Sequence, residues 1–173
     1  TPDRLRYYHP GRQAIHEMPL AGGAVREVAR DVLVVVGHGD TALYTTEAGV
    51  FALAGYESSR IGEPTTPVAM AISPDGTRAA LSTTTSTIEW VLATGKETRR
   101  WTTGTVGWLD YAPQGLVTLG VGVLNILYPQ GRISQRGIRF LPLWHTQIAD
   151  GLAMINEVGE VTVLDRAGYR VVD

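Results

Sequence analysis

The chain has 173 residues, enough for one domain with a sizeable core. It is 44% hydrophobic, an ordinary globular share, and its longest apolar runs ("DVLVVVG", "LVTLGVGVLNILY") are too short or too broken by glycine to span a bilayer as a helix. Fifteen basic against seventeen acidic residues give a formal charge of -2, so nothing draws the whole chain to nucleic acid or anionic lipid, and the absence of cysteine excludes disulfides and thiolate metal sites.

From the N-terminus, "LRYYHPGRQAIHEM" reads as two short strands around a turn ending at Gly11. Thr1 is read as a boundary within a longer protein, because nothing in "TPDRLRYY" supplies an oxyanion site for an N-terminal nucleophile. Next come "DVLVVVG", the glycine-rich hairpin "GHGD", and "TALYTTEAGVFALA" with a turn at Gly49. "GYESSRIGEPTTP" (Gly55 to Pro67) reads as a long loop. Beyond it lie four strands, "TPVAMAI", "TRAALST", "TIEWVLA" and "KETRRWT", separated by turns at "SPDG" and "ATGK". Pro74 pre-sets φ at the second position of Ser73-Pro74-Asp75-Gly76 and Gly76 suits the fourth, the chemistry of a type I turn. Two further units follow, with turns at "APQG", "PQGR", "IADG" and "RAGY".

These turns recur with a period. One class ends at Gly11, Gly49, Gly95, Gly131 and Gly168, at intervals of 38, 46, 36 and 37 residues. A second class ends at Gly76, Gly115 and Gly151, 39 and 36 apart. Counting back five residues from the first class reaches Tyr44, Trp90, Ile126 and Val163, and seven back reaches Ala42, Ile88, Leu124 and Val161; the spacing of two predicts a shared inward strand face. The first copy places Arg6 and Arg4 there. Calling the strands of a unit A to D, B is the most apolar, as an interior strand requires, and D the most polar, as a charged outer edge requires.

A four-stranded unit of about 40 residues, repeated, is the signature of a β-propeller blade. The predicted fold is all-β: a half-blade of strands C and D (1-20), then blades at 21-55, 56-104 with the long inserted loop, 105-140 and 141-173. An open arc would expose the apolar faces of its end blades. The ring is therefore expected to be completed by upstream sequence or by a second polypeptide.

"IEWVLATGKETRRWTTGTVGWLDYAPQG" resembles a WD40 repeat over strands C and D and into the next A. Trp90 stands where that family's Trp ends strand C, "ATGKE" matches its C–D turn and "AISPDG" its A–B turn, with the similarity concentrated in residues 66 to 115. Val91 replaces the Asp of the WD pair and Gly104-Thr105 stands in place of Gly-His, so the family's buried Asp–His network is not available here. The resemblance implies a divergent propeller of the bacterial kind.

In a propeller the D–A and B–C connections share one face, and variable loops on one face mark the binding side. That criterion selects the long 55-67 loop and its neighbours: His38, Asp40, Arg60, Glu63, Trp101, Trp108, Arg139, Trp144 and His145. Each also has a plainer reading. "GHGD" suits a hairpin, and Trp108 and Trp144, each seven residues before a turn glycine, suit packing between blades. The four histidines have no metal-ligand spacing, and no nucleophile elbow, phosphate loop or cofactor motif is present. The leading expectation is a non-catalytic scaffold that binds a protein or peptide through this loop face, with no nucleic acid, membrane or cofactor involved. A propeller enzyme or enzyme-gating domain, and a small-ligand or glycan binder, are the alternatives.

Overall fold

The computed structural model describes residues 3-137, 142-148, 151-156, 158-165 and 171-172. Turn chemistry and alternation set the architecture: short strands joined by tight hairpins, assembled into five separate antiparallel sheets in chain order. The first holds β1 (Arg4–His9), β2 (Ala14–Pro19) and β3 (Arg26–Ala29). The second holds β4 (Val34–His38), β5 (Thr41–Thr46), β6 (Gly49–Ala54) and β7 (Glu57–Gly62). The third holds β8 (Ala69–Ile72), β9 (Arg78–Ser82), β10 (Ser86–Val91) and β11 (Lys96–Thr102). The fourth holds β12 (Val106–Ala112), β13 (Gly115–Gly120), β14 (Val123–Leu127) and β15 (Ile133–Gly137). The fifth holds β16 (Pro142–Ile148), β17 (Gly151–Asn156), β18 (Val161–Asp165) and β19 (Val171–Val172). Within each sheet the strands follow sequence order, so every connection inside a sheet is a hairpin.

The sheets stack face to face because a single four-stranded sheet cannot bury its own apolar side chains. The third sheet makes this plain. Alternation turns Leu81, Ile88 and Trp90 toward the second sheet, against Leu43, Val50 and Ile61. It turns Ala71, Ala80 and Trp101 the other way, against Leu109, Leu116 and Leu127 of the fourth. Ile15 and Val32 pack against Ala42, Tyr44 and Leu53, joining first sheet to second, and Val117, Leu119 and Leu124 pack with Met154 of the fifth. Each buried Leu, Ile or Trp contributes about 1.5–3 kcal/mol, so these cores hold the stack together. First strands of successive sheets lie beside one another, with β8 touching both β4 and β12. The result is a propeller arc that, among the described residues, does not close into a ring.

The third unit has the four strands expected of it, and Gly76 N–H donates to the Ser73 carbonyl at 2.8 Å across the "SPDG" turn. Three features differ from the sequence reading. "QAIHEM" is not an outer strand: β2 lies between β1 and β3 and is buried, because Arg4 and Arg6 neutralise Glu17 and the Tyr7 ring stacks on His16. The first sheet thus has three strands and extends to Ala29. "GYESSRIGEPTTP" is not a long loop, for Glu57–Gly62 is β7, the outer strand of the second sheet. Finally, the aligned positions do not share one face. Ile88 and Trp90 point back to the second sheet, whereas Leu124 and Ile126 pack with Met154. Relative to the turn glycine, the pleat is offset by one residue between the two units: Trp90, five before Gly95, faces back, and in the next unit Leu127, four before Gly131, does so. An offset of one reverses the faces.

Candidate functional site

Glu89 is the residue around which a site can be built. On β10 it sits between Ile88 and Trp90, so alternation sends it to the opposite face, into the junction of third and fourth sheets. It is 4% exposed. A carboxylate so placed needs partners, and it has them. Arg78 Nη1 on β9 lies 3.3 Å from Oε2, and Thr98 Oγ1 on β11 donates to Oε2 at 2.9 Å. Across the junction, the Tyr111 side chain of β12 lies within the field of the Glu89 carboxylate. Burial, followed by the nearby carboxylate charge, raises the Tyr111 phenol far above its ordinary value, so it remains a neutral donor.

Around this network lies a groove of about 590 Å³. Trp101, Tyr111, Leu116 and Leu127 provide its apolar surface, and Pro74, Pro113 and Pro129 are contributed by turns. Trp101 Nε1 is buried and finds no acceptor among the described residues. Near Pro74, Asp75 accepts from Ser73 Oγ at 2.6 Å, Thr77 N at 3.0 Å and Thr77 Oγ1 at 2.9 Å. These bonds, that from Ser73 first, lower its pKa to about 2 and fix it as an anion. Elsewhere in the third and fourth sheets, buried polar groups are paired in the same manner. Ser82 and Thr87 bond at 2.7 Å, and Asn125 Nδ2 donates to Thr118 Oγ1 at 3.0 Å.

The described residues among those singled out from sequence lie at separate places in the arc. His38 ends β4 and Asp40 lies in the β4–β5 hairpin, which is an A–B turn and so belongs to the opposite end from the D–A and B–C connections. His38 Nε2 is 2.9 Å from the Pro74 carbonyl, and the Asp40 carbonyl accepts from Arg6 Nη1 at 2.8 Å. Arg60 on β7 and Glu63 just beyond it form an exposed ion pair at 2.6 Å, worth little in water. Glu63 also borders a polar recess of about 720 Å³ between the second and third sheets, with Thr65, Thr83, Thr84 and Arg100. Trp101 is buried against the fourth sheet and reaches the groove. Trp108 is half-buried beside Leu119 and Met154, as packing between units requires. Trp144 and His145 lie on β16 opposite Ile155 and Met154, but their side chains, and all of Arg139, fall outside the described residues.

Glu89, Arg78 and Tyr111 were not singled out. The available signal was a lone carboxylate inside an apolar strand, with an arginine at the start of the strand before it. Chemically, Glu89 is already committed to Arg78 and Thr98, so the groove presents surface for contact around a carboxylate that is in use. Among the described residues no three His, Asp or Glu side chains are grouped to hold a metal. No helix there is long and apolar enough to cross a membrane.

No protein-family model matches the sequence, and no curated protein matches it. Solved structures do. A chain in the nidogen/laminin complex aligns with 99% of this chain and 74% of its own length, at 14% identity and a TM-score of 0.64. The computationally designed Ika8 protein aligns over all of this chain and 58% of its own, at 12% identity and a TM-score of 0.72. The WD40 domain of SCAP from fission yeast aligns with 82% of this chain and 40% of that one, at 14% identity and a TM-score of 0.62. The chain therefore has a WD40-like β-propeller fold and spans from two fifths to three quarters of the length of these structures. At such identities the likeness is one of fold.

Proposed function

We propose that this propeller is a non-catalytic scaffold that binds a protein or peptide partner, and that an extended segment of that partner lies in the groove between the third and fourth sheets. One observation carries the reading. The groove combines aromatic and proline walls with a polar centre whose carboxylate is already held by Arg78 and Thr98. A surface of that kind gains energy from apolar contact and gives directional bonding at its margins. It opens beside the β8–β9 and β12–β13 turns, the end opposite the loop face favoured on sequence grounds. The nidogen/laminin structure is, by its description, a complex, which accords with a propeller acting through protein contact.

The test uses peptides selected from a displayed library on the intact protein, with affinities measured by calorimetry. Pro113 is exposed at the groove margin, and Glu63 is exposed at the other end of the sheets. Pro113→Arg is expected to weaken binding at least tenfold while Glu63→Arg leaves it unchanged. The reverse pattern would return the binding surface to the loop face, and selection of glycans but no peptides would favour the small-ligand reading.

A further inference from the structure

The groove between the third and fourth sheets is unevenly charged. The charged side chains that line it are Asp75, Arg78 and Glu89. Arg78 Nη1 lies 3.3 Å from the buried Glu89 carboxylate, so these two offset each other and Asp75 is left as the uncompensated charge. Its carboxylate is held at one oxygen and open at the other. The bonds from Ser73 Oγ, Thr77 N and Thr77 Oγ1 all fall on Oδ1, and among the described residues no neighbour donates to Oδ2. No cation is among the groups that act on this carboxylate, which is exposed at the β8–β9 turn. In the wall of the same groove, the Trp101 indole N–H has no acceptor among the described residues. The far margin has the opposite sign: Arg99, exposed, donates from Nε to the Pro129 carbonyl at 2.7 Å.

We infer that the partner segment held in this groove carries a lysine or arginine whose cation pairs with Asp75 Oδ2, with apolar residues continuing past Trp101 toward Pro129. The inference rests on the proposed peptide-binding role of the groove and adds the chemistry that selects the peptide. Apolar contact is non-directional, so it fixes neither the register nor the direction of an extended segment. An anion already oriented by its own turn fixes both at no further ordering cost. A segment lying in the groove also displaces water from around Asp75, which strengthens a pair that would be weak in open solvent. An acidic residue in that position would meet like charge, and a reversed segment would bring its cation to Arg99, so both are disfavoured. The backbone carbonyls of the segment supply the kind of acceptor that Trp101 lacks.

The probes are two displayed peptide libraries of equal size, one built without lysine and arginine and one without aspartate and glutamate, each selected on the intact protein. Occupancy of the groove is read from the Trp101 indole N–H resonance, which shifts when a ligand lies against that wall. Groove binders are expected from the library that keeps lysine and arginine, and those from the other library should bind about tenfold more weakly. Asp75→Asn, which keeps an Oδ1 acceptor for the turn, should weaken the best binder about three- to tenfold, and Glu63→Gln should leave it unchanged. Replacing the basic residue of that peptide with glutamine should cost the same on the parent protein, and the two changes together should cost no more than either alone. Groove binders of equal affinity from the library without lysine and arginine, or two losses that simply add, would overturn the inference and leave the groove a peptide site. If no peptide from either library shifts the Trp101 resonance, the inference and the proposed role of the groove both fail.

Discussion

Replacing Glu89 with alanine removes the acceptor shared by Arg78 and Thr98 and the carboxylate that acts on the Tyr111 hydroxyl, and the cost can be worked out group by group. The Arg78 side chain is 45% exposed, so its guanidinium turns to water and its loss contributes little. Thr98 Oγ1 keeps a second bond, 3.2 Å to the Glu89 backbone carbonyl. Tyr111 is 7% exposed, and its buried hydroxyl loses the neighbouring carboxylate that stabilises its neutral form, at a cost of about 1–3 kcal/mol. The partly collapsed cavity adds about 1 kcal/mol. Glu89→Ala should therefore destabilise by about 2–4 kcal/mol, and Glu89→Gln, which keeps the volume and one acceptor, by about 1 kcal/mol. Urea unfolding at neutral pH measures both. In a Tyr111→Phe background the alanine cost should fall by at least about 1 kcal/mol, since the stranded hydroxyl is gone. An alanine variant within about 0.5 kcal/mol of the parent, or a cost unchanged by Tyr111→Phe, would refute the reasoning.

Trp101→Ala should cost about 3–5 kcal/mol in the same assay, because the ring is 4% exposed at the junction of third and fourth sheets. Gly115→Ala should cost about 1–3 kcal/mol or more: φ is +151° and an added Cβ would fall 2.3 Å from the Leu127 carbonyl oxygen, so the β12–β13 turn must shift. Asp75 has a lowered folded pKa, so its contribution is present above the ordinary 3.8 and is lost as pH falls toward about 2; Asp75→Asn should flatten acid unfolding curves in that window. Tyr111 has a raised folded pKa, so stability should decline as pH rises above the ordinary 10.0, where the unfolded chain gives up a proton that the native chain retains, and Tyr111→Phe should reduce that slope.

The repeat was legible wherever turn chemistry and strand polarity agreed. "SPDG" and "ATGK" fixed all four strands of the third unit, since proline and glycine at those positions leave the backbone few choices. β7 was hidden because "ESSRIG" is polar and turn-like, yet an outer strand needs only one buried flank, and Ile61 supplies it. β2 was misplaced because Glu17 and His16 read as surface residues, and only the fold brings Arg4, Arg6 and Tyr7 over them. The groove is assembled from Ser73 to Pro129 across two units, so no local pattern announces it. Likewise, the three-strand count of the first sheet shows only after the pairings are known.

Radial stacking means that the middle sheets bury both faces in separate cores, and the two tryptophans of the third sheet report it. Trp90 packs with Val50 and Ile61 of the second sheet, Trp101 with Leu109, Leu116 and Leu127 of the fourth. A methyl-resolved NOESY spectrum should show the Trp90 ring contacting methyls of the first cluster, Val50 and Ile61 among them, and none of Leu109, Leu116 or Leu127, with the Trp101 ring showing the reverse. Both rings contacting one common set of methyls, as in a sandwich or barrel with a single core, would contradict the propeller.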